Sequence, residues 1–115
     1  SVTQSAADYA DVVYIPTDNT AASNTEAIAN ILVPAGVPAI AGEEGICSGC
    51  GVATLSISYY DLGVTTGKMA AKILTGEADI STMPIEYTDA TPKYNPTICE
   101  ALNITPLDGY TAIEG

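Results

Sequence analysis

The sequence predicts an α/β domain, a mainly parallel sheet flanked by helices in three layers. Short apolar, β-rich runs alternate along the chain with segments of helical periodicity. Capping residues precede the helical segments and glycines follow two of them, at Gly36 and Gly76. Each of the first three strand runs opens into a loop carrying acidic or aromatic groups.

The elements follow in order. After a short amphipathic stub, VVYI at 12–15 stops at Pro16 and reads as a strand buried on both faces. PTDNT is a turn rich in helix-capping residues. From Thr20 to Ala35, the spacing of Ala21, Ile28, Ile31, Leu32 and Ala35 predicts a helix ended by Gly36. VPAIAG at 37–42 is the second strand, closed by an EEG loop, and GVATLSIS at 51–58 is the third. Tyr60 to Leu74 predicts a helix burying Leu62, Met69, Ala70, Ile73 and Leu74. MPIEYT at 83–88 is a fourth strand candidate. NPTICEALNI predicts a short helix with Asn95 as N-cap, Pro96 in the first helical position, and Ile98, Ala101 and Leu102 inward.

Composition narrows the function. A chain of 115 residues fits one domain. A net charge of −11, with three lysines and no arginine, excludes nucleic acid and disfavours an anionic membrane surface. The acidity suits a soluble secreted or surface domain. The absence of histidine removes the Ser-His-Asp and Cys-His arrangements and most zinc chemistry. No run of 18 apolar residues and no signal peptide is visible; the opening reads as that of a piece excised from an exported protein.

In open parallel sheets, ligands sit outside the carboxyl ends of the strands. The loops there supply Asp18 and Asn19, Glu43 and Glu44, and Tyr59, Tyr60 and Asp61. Either Asp18 or Asn19 is expected to cap the following helix, leaving the other to face a cleft, where a carboxylate holds a ligand ammonium. Glu43 and Glu44 also fit a solvated turn. The two tyrosines offer flat apolar area with a hydroxyl, suited to an aromatic or amphipathic small ligand. Asp61 fits an N-cap equally well. An enzymatic reading would pair Asp18 and Asp61 as acid and base, but nothing in the sequence fixes their separation. No residue is assigned to catalysis, metal or cofactor.

The C-x-x-C of GICSGCGVA precedes a strand pattern instead of opening a helix, unlike a thioredoxin-type dithiol. Three cysteines without histidine fall short of a zinc or iron–sulfur ligand set. Cys47, Cys50 and Cys99 are therefore expected to be small buried packing residues or an incidental disulfide.

PTDNT, GVATLSISYYDLGVTTGKMAAKILTG and PKYNPTICEALNIT resemble the ABC-transporter substrate-binding proteins of the type I periplasmic-binding-protein fold, in the group associated with aromatic amino acid uptake. The match runs from Val12 to Ile104. Cys47 and Cys50 depart from it, standing in a turn where the family has small residues. The resemblance implies that residues 1–115 form a single α/β lobe, the second of two. It implies that Asp18, Asn19, Glu43, Tyr59, Tyr60 and Asp61 line the cleft rim, and that a small solute is passed without chemistry to a membrane permease. The partners it implies are that solute, the first lobe of the same protein and the ABC permease, on the extracellular side of the cytoplasmic membrane, periplasmic or lipid-anchored. The chain alone is expected to bind solute weakly and to be able to dimerise through the exposed cleft face. A ligand-sensing domain of a signalling protein is the alternative on the same fold.

Overall fold

A computed structural model describes residues 1–114. The chain divides into two compact units, Ser1–Ser56 with Thr91 onward, and Ile57–Ala90. The first unit opens with the short helix α1 (Val2–Ala7) and holds a five-stranded sheet in the order β1-β2-β3-β4-β5. The strands are β1 (Val13–Ile15), β2 (Ala39–Ala41), β3 (Ala53–Ser56), β4 (Thr91–Tyr94) and β5 (Thr111–Ala112). Pairing is parallel except between β3 and β4. The mainly parallel α/β class read from the sequence is thus the one observed.

One face of this sheet carries the core. Ile15, Val37, Ala39, Ala41, Leu32, Ile46, Cys47, Cys50 and Ile113 form one buried cluster, with Ile28 and Ala29 packed against it. Small residues on β2 let the helices α3 (Thr25–Leu32) and α4 (Glu44–Cys50) lie close to the strands. Gly49 lets the two helices approach each other: a Cβ there on α4 would collide with the side chain of Thr25 on α3.

Several boundaries differ from expectation, each for a local reason. The helix read over 20–35 is two helices, α2 (Asn19–Ala22) and α3. The break falls where Ser23 Oγ donates to the Asn19 carbonyl at 2.8 Å and Asn24 Nδ2 to that of Thr20 at 2.7 Å. Such back-bonding offers the backbone an alternative to continuing the helix. The EEG loop and the cysteine turn are in fact α4, because Glu43 caps it and Ile46, Cys47 and Cys50 give it a buried face. The fourth strand is Thr91–Tyr94, and residues 83–88 pair with nothing among the described residues. Ile85 and Tyr87 there are 92% and 84% exposed. Pro92 is accommodated in β4 because the β4–β5 pairing begins only at Lys93. β5 was not anticipated; it is two residues long.

β1 also departs from expectation. Its sequence reads as a strand buried on both faces, yet it is an edge strand with Tyr14 65% exposed. Towards the other end of the unit, α6 (Pro96–Ala101) begins as expected, with Asn95 Oδ1 accepting from the Ile98 N–H at 3.2 Å and Pro96 at its start. Cys99, and not Ala101, is its buried residue.

The second unit is built on α5 (Tyr59–Leu74), capped by Ser58 and followed by Gly76 at φ 82°. No residue of α5 is buried. Leu62, Met69 and Ile73 are half-buried along one stripe, whereas Ala70 is exposed and Leu74 is 86% exposed, so the expected five-residue apolar face is narrower. Met69 and Ile73 line an apolar groove whose other wall is Ile80, Met83, Pro84 and Ile85.

Candidate functional site

β1, β2 and β3 run parallel, so their carboxyl ends share one edge of the sheet. At that edge the loops after β1 and β2 are held together by the backbone. The Gly42 N–H donates to the Ile15 carbonyl at 2.8 Å, beyond the last paired residues Ile15 and Ala41. Gly42 has no side chain to obstruct this: a Cβ there would lie 2.9 Å from the Thr17 nitrogen. The close approach of the two backbones requires glycine. Asp18 and Glu43 each follow directly on this junction, which brings Asp18, Asn19 and Glu43 onto one rim.

Each of these residues has a structural role that can be read bond by bond. Asp18 Oδ1 accepts from the Ala21 N–H at 2.8 Å, making Asp18 the cap of α2 and Asn19 its first residue. Its other carboxylate oxygen has no hydrogen-bond partner among the described residues. Glu43 uses both oxygens: Oε2 accepts from the Gly45 N–H at 2.9 Å, and Oε1 from the Ile46 N–H. Glu44 is ion-paired with Lys93, Oε2 to Nζ, at 3.0 Å. Partly exposed on both sides, that pair contributes little to stability but orients the first turn of α4 towards β4. The expected solvated acidic turn is therefore a cap and an ion pair.

Tyr59, Tyr60 and Asp61 occupy the first turn of α5 in the second unit, all exposed. Ser58, missed as a cap from the sequence, accepts from the Asp61 N–H at 3.2 Å. The S-x-x-D spacing is the signal that identifies it, and Asp61 is the third helical residue instead of the cap. Its charge favours the positive end of the helix. The structure thus gathers Asp18, Asn19 and Glu43 in the first unit and Tyr59, Tyr60 and Asp61 in the second.

The cysteines are buried behind the rim, the Cys47 N–H donating to the Glu43 carbonyl at 3.2 Å. All three are buried and unpaired by disulfides. Burial, then the neighbouring Cys50 and Cys99 thiols, pushes the Cys47 thiol up to about 12, and burial pushes Cys50 up to about 11. Neutral thiols of this kind are poor nucleophiles. Cys99, raised by burial, lines an apolar cavity of ≈ 200 Å³ with Ile40, Val52, Tyr94, Leu107 and Tyr110. None of the rim residues contributes to that cavity.

Known proteins resemble this chain in sequence and fold. Residues 1–109 match the family of ABC transporter substrate binding proteins. A tyrosine-binding protein of Clostridioides difficile is 33% identical over 81 residues, which is 70% of this chain and 23% of that protein. A ligand-free, open substrate-binding protein with adhesive properties from Clostridium difficile superposes with a TM-score of 0.78 at 32% identity, over 98% of this chain and 39% of that one. A conserved domain protein from Vibrio cholerae gives 0.81 at 27% identity over 97% and 39%. The ABC domain solved with L-Trp from Streptococcus pneumonia gives 0.80 at 25% identity over 96% and 39%. The chain therefore spans about a quarter of the curated relative it matches and well under half of these solved structures. By its sequence and its fold, the chain belongs to the ABC transporter substrate binding protein family.

Proposed function

We propose that this chain is the second-lobe portion of a longer solute-binding protein of an ABC importer, and that its solute is an aromatic amino acid. The observation that carries the reading is the junction of the PTDN and GEE loops at the carboxyl edge of the parallel strands, made by the Gly42–Ile15 bond. One oxygen of Asp18 takes the cap bond of α2, and the other has no hydrogen-bond partner among the described residues. That oxygen suits a ligand ammonium, and Asn19 beside it offers an amide. Glu43 shapes the rim through its cap. Tyr59 and Tyr60, in the first turn of α5, are exposed rings of the kind that suits an aromatic side chain, and the family resemblance adds them and Asp61 to the proposed ligand contacts.

Binding without chemistry fits the residues: no histidine, and thiols held neutral by burial. Two relatives support the solute class, one named for tyrosine binding and one solved with L-Trp. In this reading the first lobe closes over the solute, and an ABC permease receives it at the extracellular side of the cytoplasmic membrane. The protein is periplasmic or lipid-anchored there. The chain alone has half the contacts and binds weakly.

A thermal-shift panel on the full-length protein tests this. Stabilisation confined to tyrosine, tryptophan and phenylalanine supports the reading, and stabilisation by sugars alone defeats it.

A further inference from the structure

We propose that Cys47 and Cys50 are a redox-sensitive site: closing them into a disulfide breaks the last turn of α4 and loosens the rim at its other end. Both thiols hang from one seven-residue helix, three positions apart, and belong to the buried cluster. Residues so spaced on a helix hold their Cβ atoms about 5–6 Å apart, whereas a disulfide needs about 3.5–4.5 Å. Joining them draws the ends of the last turn together. At 0% and 1% exposure, neither side chain has free space to move into.

The bonds that hold this turn converge on the two cysteines. The Cys47 carbonyl accepts from the Gly51 N–H at 3.0 Å and from Asn95 Nδ2 at 3.0 Å, and Cys50 Sγ donates to the Ile46 carbonyl at 3.4 Å. Gly51 lies so close that a Cβ on it would stand 3.1 Å from the Cys47 Cα. Strain at Cys47 passes straight to the rim, because its N–H donates to the Glu43 carbonyl at 3.2 Å. Glu43 in turn holds the Gly45 and Ile46 N–H groups. A helix of seven residues persists only through such contacts.

The partner of each cysteine is the other, not Cys99. A pair separated by two residues closes the smallest loop, whereas Cys99 lies on α6 and donates to the Val52 carbonyl at 3.5 Å. The oxidant is a low-molecular-weight disulfide. In the folded chain the thiols are buried and held neutral, so the reaction proceeds when α4 opens. One thiol loses its proton and its sulfur attacks the S–S bond of the reagent, forming a mixed disulfide and expelling one reagent thiol. The second cysteine, likewise deprotonated, attacks the first cysteine's sulfur and expels the other. The two cysteines have then lost two electrons and two protons, and the reagent has become two thiols. Restriction of the unfolded chain by the link stabilises least for so short a loop, which leaves the strain in α4 to decide. The inference stands on α4 and not on the solute, so the amino acid panel neither supports nor defeats it.

Oxidised glutathione tests it. The full-length protein is unfolded in urea with the reagent, refolded, and mapped by mass spectrometry after its free thiols are blocked. A Cys47–Cys50 link, lighter by the two thiol hydrogens, is expected, with Tm at least about 5 °C below that of the reduced protein and restored by a reductant. By NMR, the Gly45 and Ile46 amides are expected to exchange at least about 10-fold faster in the linked form. A Cys47→Ala, Cys50→Ala double variant carried through the same treatment is expected to keep its own Tm. A link that leaves Tm and both amides unchanged overturns the proposal, as does a link through Cys99 or the absence of any link between 47 and 50. An equal loss of Tm in the treated double variant overturns it too.

Discussion

The side-chain amide of Asn95 donates to the carbonyl of Cys47 at 3.0 Å, joining residues 48 apart in sequence. The same nitrogen donates to the Ser48 carbonyl at 2.9 Å, and Oδ1 of the same side chain caps α6. One buried asparagine thus closes the carboxyl half of α4 and opens α6, fixing the C-x-x-C helix from outside. Asn95→Ala removes the cap and the side-chain donor to the Cys47 and Ser48 carbonyls, of which that of Cys47 keeps its bond from the Gly51 N–H, at an expected cost of about 1–3 kcal/mol. Asn95→Asp keeps the cap oxygen but sets a carboxylate against two carbonyls, so it is expected to be no more stable than the alanine variant. Urea unfolding of the three chains checks the order.

Gly49 faces Thr25 so closely that no side chain fits. Gly49→Ala is expected to destabilise by about 1–3 kcal/mol through overpacking, despite the better helix propensity of alanine. Thr25→Ala in the same chain retains the offending Cβ and is expected to restore little. Thermal unfolding of the single and double variants reads this out.

The thiols make a pH-dependent contribution whose sign follows from their shifts. Cys47 and Cys50 are raised from an ordinary 9.0 to about 12 and about 11 in the folded chain. The folded state therefore holds its protons more tightly than the unfolded state. Their contribution is complete below pH 9 and is lost as pH climbs from there towards 11–12. The Tm of the native sequence is expected to fall more steeply over that window than that of a Cys47→Ala, Cys50→Ala double variant. At pH 8, a thiol reagent is expected to label the native chain slowly and the denatured chain at all three cysteines.

Asp18 separates capping from binding. Asn is as good a cap as Asp, so Asp18→Asn preserves the bond to Ala21 while removing the charge. In the full-length protein, stability is expected to hold within about 0.5 kcal/mol while affinity for a zwitterionic amino acid falls about 10–100-fold. Circular dichroism melts and calorimetric titration of the same preparation give both values. A loss of stability with unchanged affinity would confine Asp18 to capping.

Much of this architecture was legible because it depends on local patterns. The α/β order follows from apolar runs alternating with helical spacing, and the caps at Asp18 and Asn95 stand at the positions the sequence indicates. What was not legible depends on tertiary context. α4 contains two glycines in only seven residues, so propensity argued for a turn; Glu43 and the burial of Ile46, Cys47 and Cys50 decide for helix. MPIEYT has the look of a strand, but pairing with β3 is taken by TPKY, where Tyr94 reaches Ala53 and Thr91 reaches Ser56. At the rim, the sequence named the strand-end loops without revealing that both oxygens of Glu43 are committed to its own helix.

The central claim is tested most directly by isothermal titration of the full-length protein with L-tyrosine and L-tryptophan, beside the 115-residue chain. Saturable one-to-one binding by the full-length protein, with the ligand recovered unchanged, and at least about 100-fold weaker binding by the 115-residue chain are the expected result. No heat from any aromatic amino acid, or conversion of the ligand to a product, would contradict the account.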